Sequence, residues 1–457
     1  MIRPSLQDFR QLFALAVPVV FVQLGLMAMG VVDTMIMGRV SAESLAGVAV
    51  GGVYTYALGN FGFGMLMSLD PLVSQAVGAK DEPSVVRAFQ RGIVIAGALG
   101  VFAVLAMLPV EPVLRALGQP DVIVRVAVPF VHAQTPGMLA FFTFVALRQT
   151  LTALGHLRPM VYTIVIANVV NALLCWALVF GHLGMPPLGA VGAGLATTFA
   201  RWSMLLMLAA FGWRHIRPRL HWRSDTLSAG PILRMLRIGI PIASQYMLEF
   251  GVFAAVALLM GRLGPVSAAA NQIAINIASL TFMVPLGVSS AGSVLVGRAI
   301  GAGDAPRARR AGISALAVGA TFMLGSASML LLVPQVLARA YTPDLAVIAL
   351  AATLIPIAGV FQVFDGLQVV SIGVLRGTGD TRTPLIVNLI GYWVIALPIS
   401  LWLGMSAGYG PRGLWWGLTA GLVVVALVLL VRVRVRLWGP LERLHVDEPA
   451  PSRALEA

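Results

Sequence analysis

Residues 72–83 read LVSQAVGAKDEP, and residues 295–306 read LVGRAIGAGDAP. The two stretches lie 223 residues apart, and at that offset 18–88 aligns with 241–311 without a gap. MGRV at 37–40 meets MGRL at 260–263, Arg87 and Ala88 meet Arg310 and Ala311, and Pro120 and Asp121 meet Pro343 and Asp344. Helical apolar patterning alone seldom holds register over so many Gly, Pro and charged positions. The chain is therefore read as a duplication.

Composition says what is duplicated. The 457 residues are 59% hydrophobic and 11% charged, against about 25% charged in an average soluble domain. Mean hydropathy is +0.91. A membrane-spanning helix needs about 20 mostly apolar residues, and twelve such stretches follow one another from 12–37 to 413–431. The expected fold is an all-α polytopic membrane protein with twelve transmembrane helices in two parallel six-helix repeats. Six is even, so both repeats enter the membrane with the same orientation, and sites are expected near the midplane. The expected organisation is a first lobe over 1–212, a linker over 213–237, a second lobe over 238–436 and a tail over 437–457. The linker opens with WRHIRPRLHWRSD at 213–225. No small-residue cleavage site follows the first apolar run, so it reads as a span rather than a removed signal.

The formal charge of +13 reads as topology. If the N-terminus is cytoplasmic, twenty-four of the 31 Lys and Arg fall on the inner side, six on the outer side, and Arg201 within a span. Positive residues mark the cytoplasmic face, so both termini are expected inside and the location is the cytoplasmic (inner) membrane. No nucleic-acid partner is implied. The single cysteine, Cys175, excludes an intrachain disulfide and a Cys-based metal cluster.

Four acidic residues fall within apolar stretches: Asp33, Asp70, Glu249 and Asp365. Glu249 lies twelve residues after Arg237 and thirteen before Arg262, close to the bilayer centre. Asp365 is eleven residues before Arg376, about 16 Å along a helix, and Asp33 is six before Arg39, about 9 Å. A charge at the bilayer centre costs at least ~2.5–3.5 kcal/mol, and such residues usually face a cavity, bind a cation or relay a proton. A functional role is favoured for Asp33, Glu249 and Asp365 over a neutral, hydrogen-bonded packing role. Asp70 precedes Pro71 and reads instead as an N-cap at a break within the second span. Arg201 reads as structural, snorkelling or paired with a carboxylate. At the 223 offset Asp33 faces Val256, Glu249 faces Leu26 and Asp70 faces Ser293, so each half has its own polar centre.

Neutral polar groups have weaker signals. Asn168 and Asn171 share one helix face, where interhelical hydrogen bonding is the simpler reading. Gln272 either lines a cleft or makes a helix contact. Trp393, Trp402, Trp415 and Trp416 read as interface anchors, and Pro18 and Pro241 as either kinks or helix starts.

VVDTMIMGRVSAESLAGVAVG (31–51), PIASQYMLEFGVF (241–253) and FQVFDGLQVVSIGVLRGTGDTRTP (361–384) resemble the multidrug and toxic compound extrusion (MATE) transporters, closest to their NorM-like branch. The resemblance implies a twelve-helix exporter that exchanges organic cations and drugs for sodium or protons. It implies a coupling-ion and substrate site at Glu249 and Asp365 in the second lobe, with sodium as the metal there. It implies an N-lobe polar cluster of Asp33, Asn171 and Thr197. Some relatives have a second asparagine where this chain has Cys175, and a tyrosine where it has Phe361; both departures remove an oxygen.

Two other classes compete. A lipid-linked saccharide flippase of the same superfamily should carry more cationic residues inside its spans, and here acids outnumber Arg201. A membrane enzyme should carry an acid pair or histidine cluster at a membrane face, and the six histidines are scattered. No phosphate-binding loop of the Walker type is present. The expected activity is thus non-enzymatic secondary antiport by alternating access. Its partners are small organic cations, a coupling ion and membrane lipid, with no cofactor and no obligatory protein partner.

Overall fold

The computed structural model describes residues 4–221 and 224–445. Its first half holds α1 (Leu6–Met37), α2a (Ala42–Leu66), α2b (Leu69–Gly78), α3 (Glu82–Met107), α4 (Asp121–Ala153), α5 (Arg158–Phe180) and α6 (Gly189–Phe211). Its second half holds α7 (Ala229–Arg262), α8 (Pro265–Gly301), α9 (Ala305–Leu332), α10 (Leu345–Gly377), α11 (Arg382–Ser406) and α12 (Gly410–Trp438). Eleven of these helices are individually long and apolar enough to cross a membrane, and α2a with α2b makes the twelfth.

The repeat holds in the backbone as well as in the letters. α2a begins at Ala42 and α8 at Pro265, and α2b ends at Gly78 and α8 at Gly301, each pair 223 residues apart. Asp81 caps α3 with φ −95° and ψ 78°, its side chain accepting from the Ser84 N–H. Asp304 caps α9 with φ −96° and ψ 79°, accepting from the Arg307 N–H. The preceding residues are left-handed in both copies, Lys80 at φ 56° and Gly303 at φ 72°.

The second span breaks at 67–68 between α2a and α2b, whereas α8 runs through the equivalent position. Proline cannot donate to the residue four before it and its ring crowds that carbonyl. For Pro71 that residue is Met67, where the helix stops; α8 has Val294 at this place. The break is therefore as expected, but Asp70 is not its N-cap. Asp70 sits in the first turn of α2b, completely buried, and its Oδ1 accepts from Gln149 Nε2 of α4 at 2.8 Å.

The chain forms two compact units. One gathers Met1–Val20, Ser74–Lys80 and Ile240–His445, the other Phe21–Val73 and Asp81–Gly239. The division falls beside Pro18 in α1 and Pro241 in α7, and both prolines lie inside their helices rather than at a start. Within the first-named unit α2b crosses α8 at small residues. A Cβ on Gly78 would collide with the Arg298 carbonyl, and a Cβ on Gly301 with the Gln75 carbonyl. Residues 75 and 298, like 78 and 301, are repeat equivalents, so this crossing has a local two-fold. Small residues allow such close backbone approach in membranes. Gln75 then donates from Nε2 to the Gly377 carbonyl at 2.9 Å and accepts at Oε1 from the Leu444 N–H at 2.7 Å.

The core of the second half includes Val252, Met260, Leu354, Phe361, Tyr392 and Trp415. Trp415 is thus a core residue and not an interface anchor: it is 1% exposed, and its Nε1 donates to Asn271 Oδ1 at 3.1 Å. An indole with its N–H satisfied can be buried at no polar cost. Trp402 and Trp416 are exposed. In the first half Met138, Phe142, Phe144 and Leu151 are fully buried, and Asn168 Nδ2 ties α5 to the Gly25 carbonyl of α1 at 3.0 Å.

Candidate cation sites

Asp33 lies in the last turns of α1 and is half-buried. Thr197 of α6 donates to its Oδ2 at 2.9 Å, and the same hydroxyl lies 3.1 Å from the Ala193 carbonyl one turn back. Asn171 and Cys175, one turn apart on α5, face the same carboxylate. Asn171 is completely buried, and among the described residues no group meets hydrogen-bond geometry with its amide oxygen or nitrogen, or with Asp33 Oδ1. Three helices thus converge on one carboxylate whose hydrogen bonds are incomplete. Asp33, Asn171 and Thr197 come together as a group. Arg201, one turn beyond Thr197, is close enough to Asp33 for their charges to interact, and the residue pattern alone had not joined it to that cluster.

In the second half Glu249 of α7 and Asp365 of α10 act electrostatically on each other. Asp365 is 8% exposed, and its Oδ1 has no hydrogen-bond partner among the described residues. Two carboxylates sharing one buried place repel each other, and a proton or a cation relieves the repulsion. The field of both also reaches the Tyr392 hydroxyl, which is completely buried on α11 and donates to Gln368 Oε1 at 2.9 Å. Gln368 lies one turn after Asp365, so the phenol is held to the same stretch of α10. The neighbouring Trp393 donates from Nε1 to the Leu248 carbonyl at 3.1 Å, next to Glu249. Residues Leu389–Ala396 are wound as a π-helix, a winding often found at functional sites. Oxygen donors of this kind, two anionic and one neutral, suit a hard cation.

Phe361, one turn before Asp365, turns away from chemistry. It is 2% exposed and packs edge-on against Phe253 and Trp415, with ring centroids 5.9 Å and 5.7 Å away. Gln272 is exposed, and its amide donates to Asn276 Oδ1 at 3.2 Å along its own helix rather than to either carboxylate. Tyr392 and Gln368 escaped sequence reasoning, and Trp393 was read only as an interface anchor, because a Tyr or Trp in an apolar run has no spacing that ties it to a carboxylate. The only signal was Gln368 on the helical face of Asp365.

The chain matches the MatE family model over residues 18–177 and 241–402, two segments that start 223 residues apart. It is 37% identical to the Multidrug resistance protein NorM of Burkholderia vietnamiensis over 436 residues, covering 92% of this chain and 93% of the relative. A Probable multidrug resistance protein NorM of Bradyrhizobium diazoefficiens is 35% identical over 439 residues, with 94% and 93% covered. Among solved structures, the eukaryotic MATE transporter AtDTX14 superposes with a TM-score of 0.87 at 24% identity, over 94% of this chain and 96% of that one. An outward-facing multidrug resistance MATE transporter superposes at 0.84 and 19% identity, over 94% and 96%.

Proposed function

The chain belongs to the MATE family, on its NorM-like side, and from that premise we propose that it is a cation-coupled antiporter exporting amphipathic organic cations by alternating access. It is a multi-pass membrane protein of the multidrug efflux class. One observation carries the finer reading: each half buries a carboxylate oxygen that has no hydrogen-bond partner among the described residues, Asp33 Oδ1 and Asp365 Oδ1. Buried polar groups are normally satisfied, and a carboxylate oxygen left open inside an apolar span is a place for a proton or a cation. The coupling ion, sodium or a proton, belongs to Glu249 and Asp365, with Tyr392 beside them. The drug cation belongs to Asp33 with Asn171 and Thr197. The protein lies in the cytoplasmic membrane with both termini inside, a placement supported by the Lys and Arg bias.

Charge balance shows why coupling is needed. Moving one positive charge outward against the membrane potential costs about 2.3 kcal/mol per 100 mV. Exchange for one monovalent ion moves no net charge, so the ion gradient has to supply the drive. The test is reconstitution in liposomes with sodium and pH gradients imposed separately, following ethidium. One of the two gradients drives ethidium transport in the wild type, and Asp365→Asn abolishes it. Ethidium movement indifferent to both gradients overturns antiport.

A further inference from the structure

The C-terminal end of α12 lies away from both polar centres. Val424, Val428, Val431 and Val435 are exposed there, and their spacing of three to four residues makes them one stripe of the helix, the pattern of a lipid-facing side. Trp438, three residues further on, ends the stripe and is 50% exposed. Arg434 is exposed and stands four residues before Trp438, so the two share a face about 6 Å apart along the axis. Arg309 of α9 reaches the same indole. Its guanidinium carbon lies 5.7 Å from the Trp438 ring centroid, and its Nε donates to the Leu437 carbonyl at 2.8 Å. α9 comes this close because Gly312 faces α12: a Cβ there would fall 2.7 Å from Leu437 Cδ1.

Two guanidinium groups therefore adjoin one tryptophan at the end of an apolar stripe. Asp380, the carboxylate that meets this part of α12, is already paired with Arg432 at 2.7 Å. Among the described residues Arg434 and the terminal nitrogens of Arg309 have no protein partner. The repeat does not supply the arrangement twice, since Val86 stands at the place of Arg309. A guanidinium fork matches a phosphate, and a tryptophan suits the membrane–water boundary. Free phosphate would use the arginines and leave the stripe unused, whereas a phospholipid uses both.

We propose that Arg309, Arg434 and Trp438 bind the headgroup phosphate of an anionic glycerophospholipid of the cytoplasmic leaflet, with an acyl chain along the valine stripe of α12. The inference rests on the placement of the C-terminus inside. Basic groups at that boundary recognise anionic headgroups. The Leu437 carbonyl holds the Arg309 fork in place beforehand, so less side-chain freedom is lost when lipid arrives.

The test titrates chain-labelled phosphatidylglycerol into the purified full-length protein in detergent. The wild type binds it about tenfold tighter than chain-labelled phosphatidylcholine, and inorganic phosphate at constant ionic strength does not displace it. Arg309→Gln combined with Arg434→Gln weakens binding about tenfold or more. Arg412→Gln, at the opposite end of α12, leaves it unchanged. Arg434→Glu, at an exposed position, serves alone if the double variant does not elute as a single species. Undiminished binding in the variant, equal affinity for phosphatidylcholine, or displacement by phosphate overturns the site. Placement is read separately: Arg434→Cys in a Cys175→Ala background reacts with a membrane-impermeant maleimide only from the cytoplasmic side. Reaction from outside overturns the leaflet assignment even where binding in detergent holds.

Discussion

The polar centre of the first half has one carboxylate, Asp33, and one guanidinium, Arg201. The polar centre of the second half has two carboxylates, Glu249 and Asp365, and a phenol, Tyr392, with no basic side chain acting on Asp365 or Tyr392 among the described residues. The scaffolds of the two halves share their register at an offset of 223 at several helix starts and ends and at the caps of α3 and α9. Duplication therefore fixed the scaffold, and later substitution divided the electrostatics. A centre of one acid and one base can be neutral by itself. A centre of two acids cannot, and it needs a proton or a cation in every state. That contrast supports the proposal that the second half holds the coupling ion and the first half a cargo that comes and goes.

Neutralising each centre in turn is the strongest way to break this comparison. Glu249→Gln and Asp365→Asn should each lower ethidium extrusion about tenfold or more, corresponding to at least ~1.4 kcal/mol. Each should also flatten the dependence of ethidium affinity on sodium or pH. Asp33→Asn should lower affinity and keep that ion dependence. Asp70→Asn retains an oxygen for Gln149 Nε2 and should transport within a few-fold of wild type. The opposite pattern, with ion dependence lost in Asp33→Asn and kept in Asp365→Asn, would reverse the assignment of the halves.

The parts of this arrangement legible in the residues share a physical cause. Asp33, Glu249 and Asp365 stand out because a carboxylate in an apolar run is costly. The repeat stands out because Gly78 and Gly301, Asp81 and Asp304, and the following prolines are required by backbone geometry and so kept their register. The contacts of Tyr392 and Trp393 were hidden, since aromatic rings occur throughout apolar spans and the π winding of Leu389–Ala396 has no letter pattern. Asp70 was misread for a related reason. An Asp before Pro fits a helix cap, and nothing local in the sequence announces Gln149, 79 residues away. Arg201 was visible but its partners were not, because the Met138 sulfur and the Phe141 ring face are unexceptional neighbours.

The crossing of α2b and α8 sharpens the comparison where the copies agree. Gly78 faces the Arg298 carbonyl and Gly301 faces the Gln75 carbonyl, so the two positions are interchangeable by symmetry. Gly78→Leu and Gly301→Leu should each force the backbones apart at about 1–3 kcal/mol or more. The loss of monodisperse protein in detergent should be similar for both. Severe loss in one and none in the other would show that the local two-fold carries no equal load.

The helix caps come next in size. Asp81 and Asp304 each accept from a backbone N–H three residues on, and removing such a cap costs about 1 kcal/mol. Asp81→Ala and Asp304→Ala should lower the thermal midpoint by comparable amounts and leave ethidium affinity unaltered. A change in affinity in either variant would tie these loops to the cation sites.

The smallest effect is expected one residue earlier, where the copies keep a conformation but not a residue. Lys80 and Gly303 are both left-handed, at φ 56° and 72°. An L side chain in that region costs roughly 1–2 kcal/mol, partly offset by the ~0.5–1 kcal/mol that glycine loses through its freer unfolded state. No atom lies within 4 Å of a Cβ built on Gly303, and Lys80 is exposed. Packing therefore contributes nothing at either position and only the backbone term remains. Lys80→Gly should raise the thermal midpoint slightly, and Gly303→Ala should lower it by a similar amount, each worth some tenths of a kcal/mol to about 1 kcal/mol. The signs are the informative part. If Lys80→Gly destabilises, the lysine contributes through its charge at the membrane face rather than suffering from its backbone, and the two copies differ in function at this turn as they do at their polar centres.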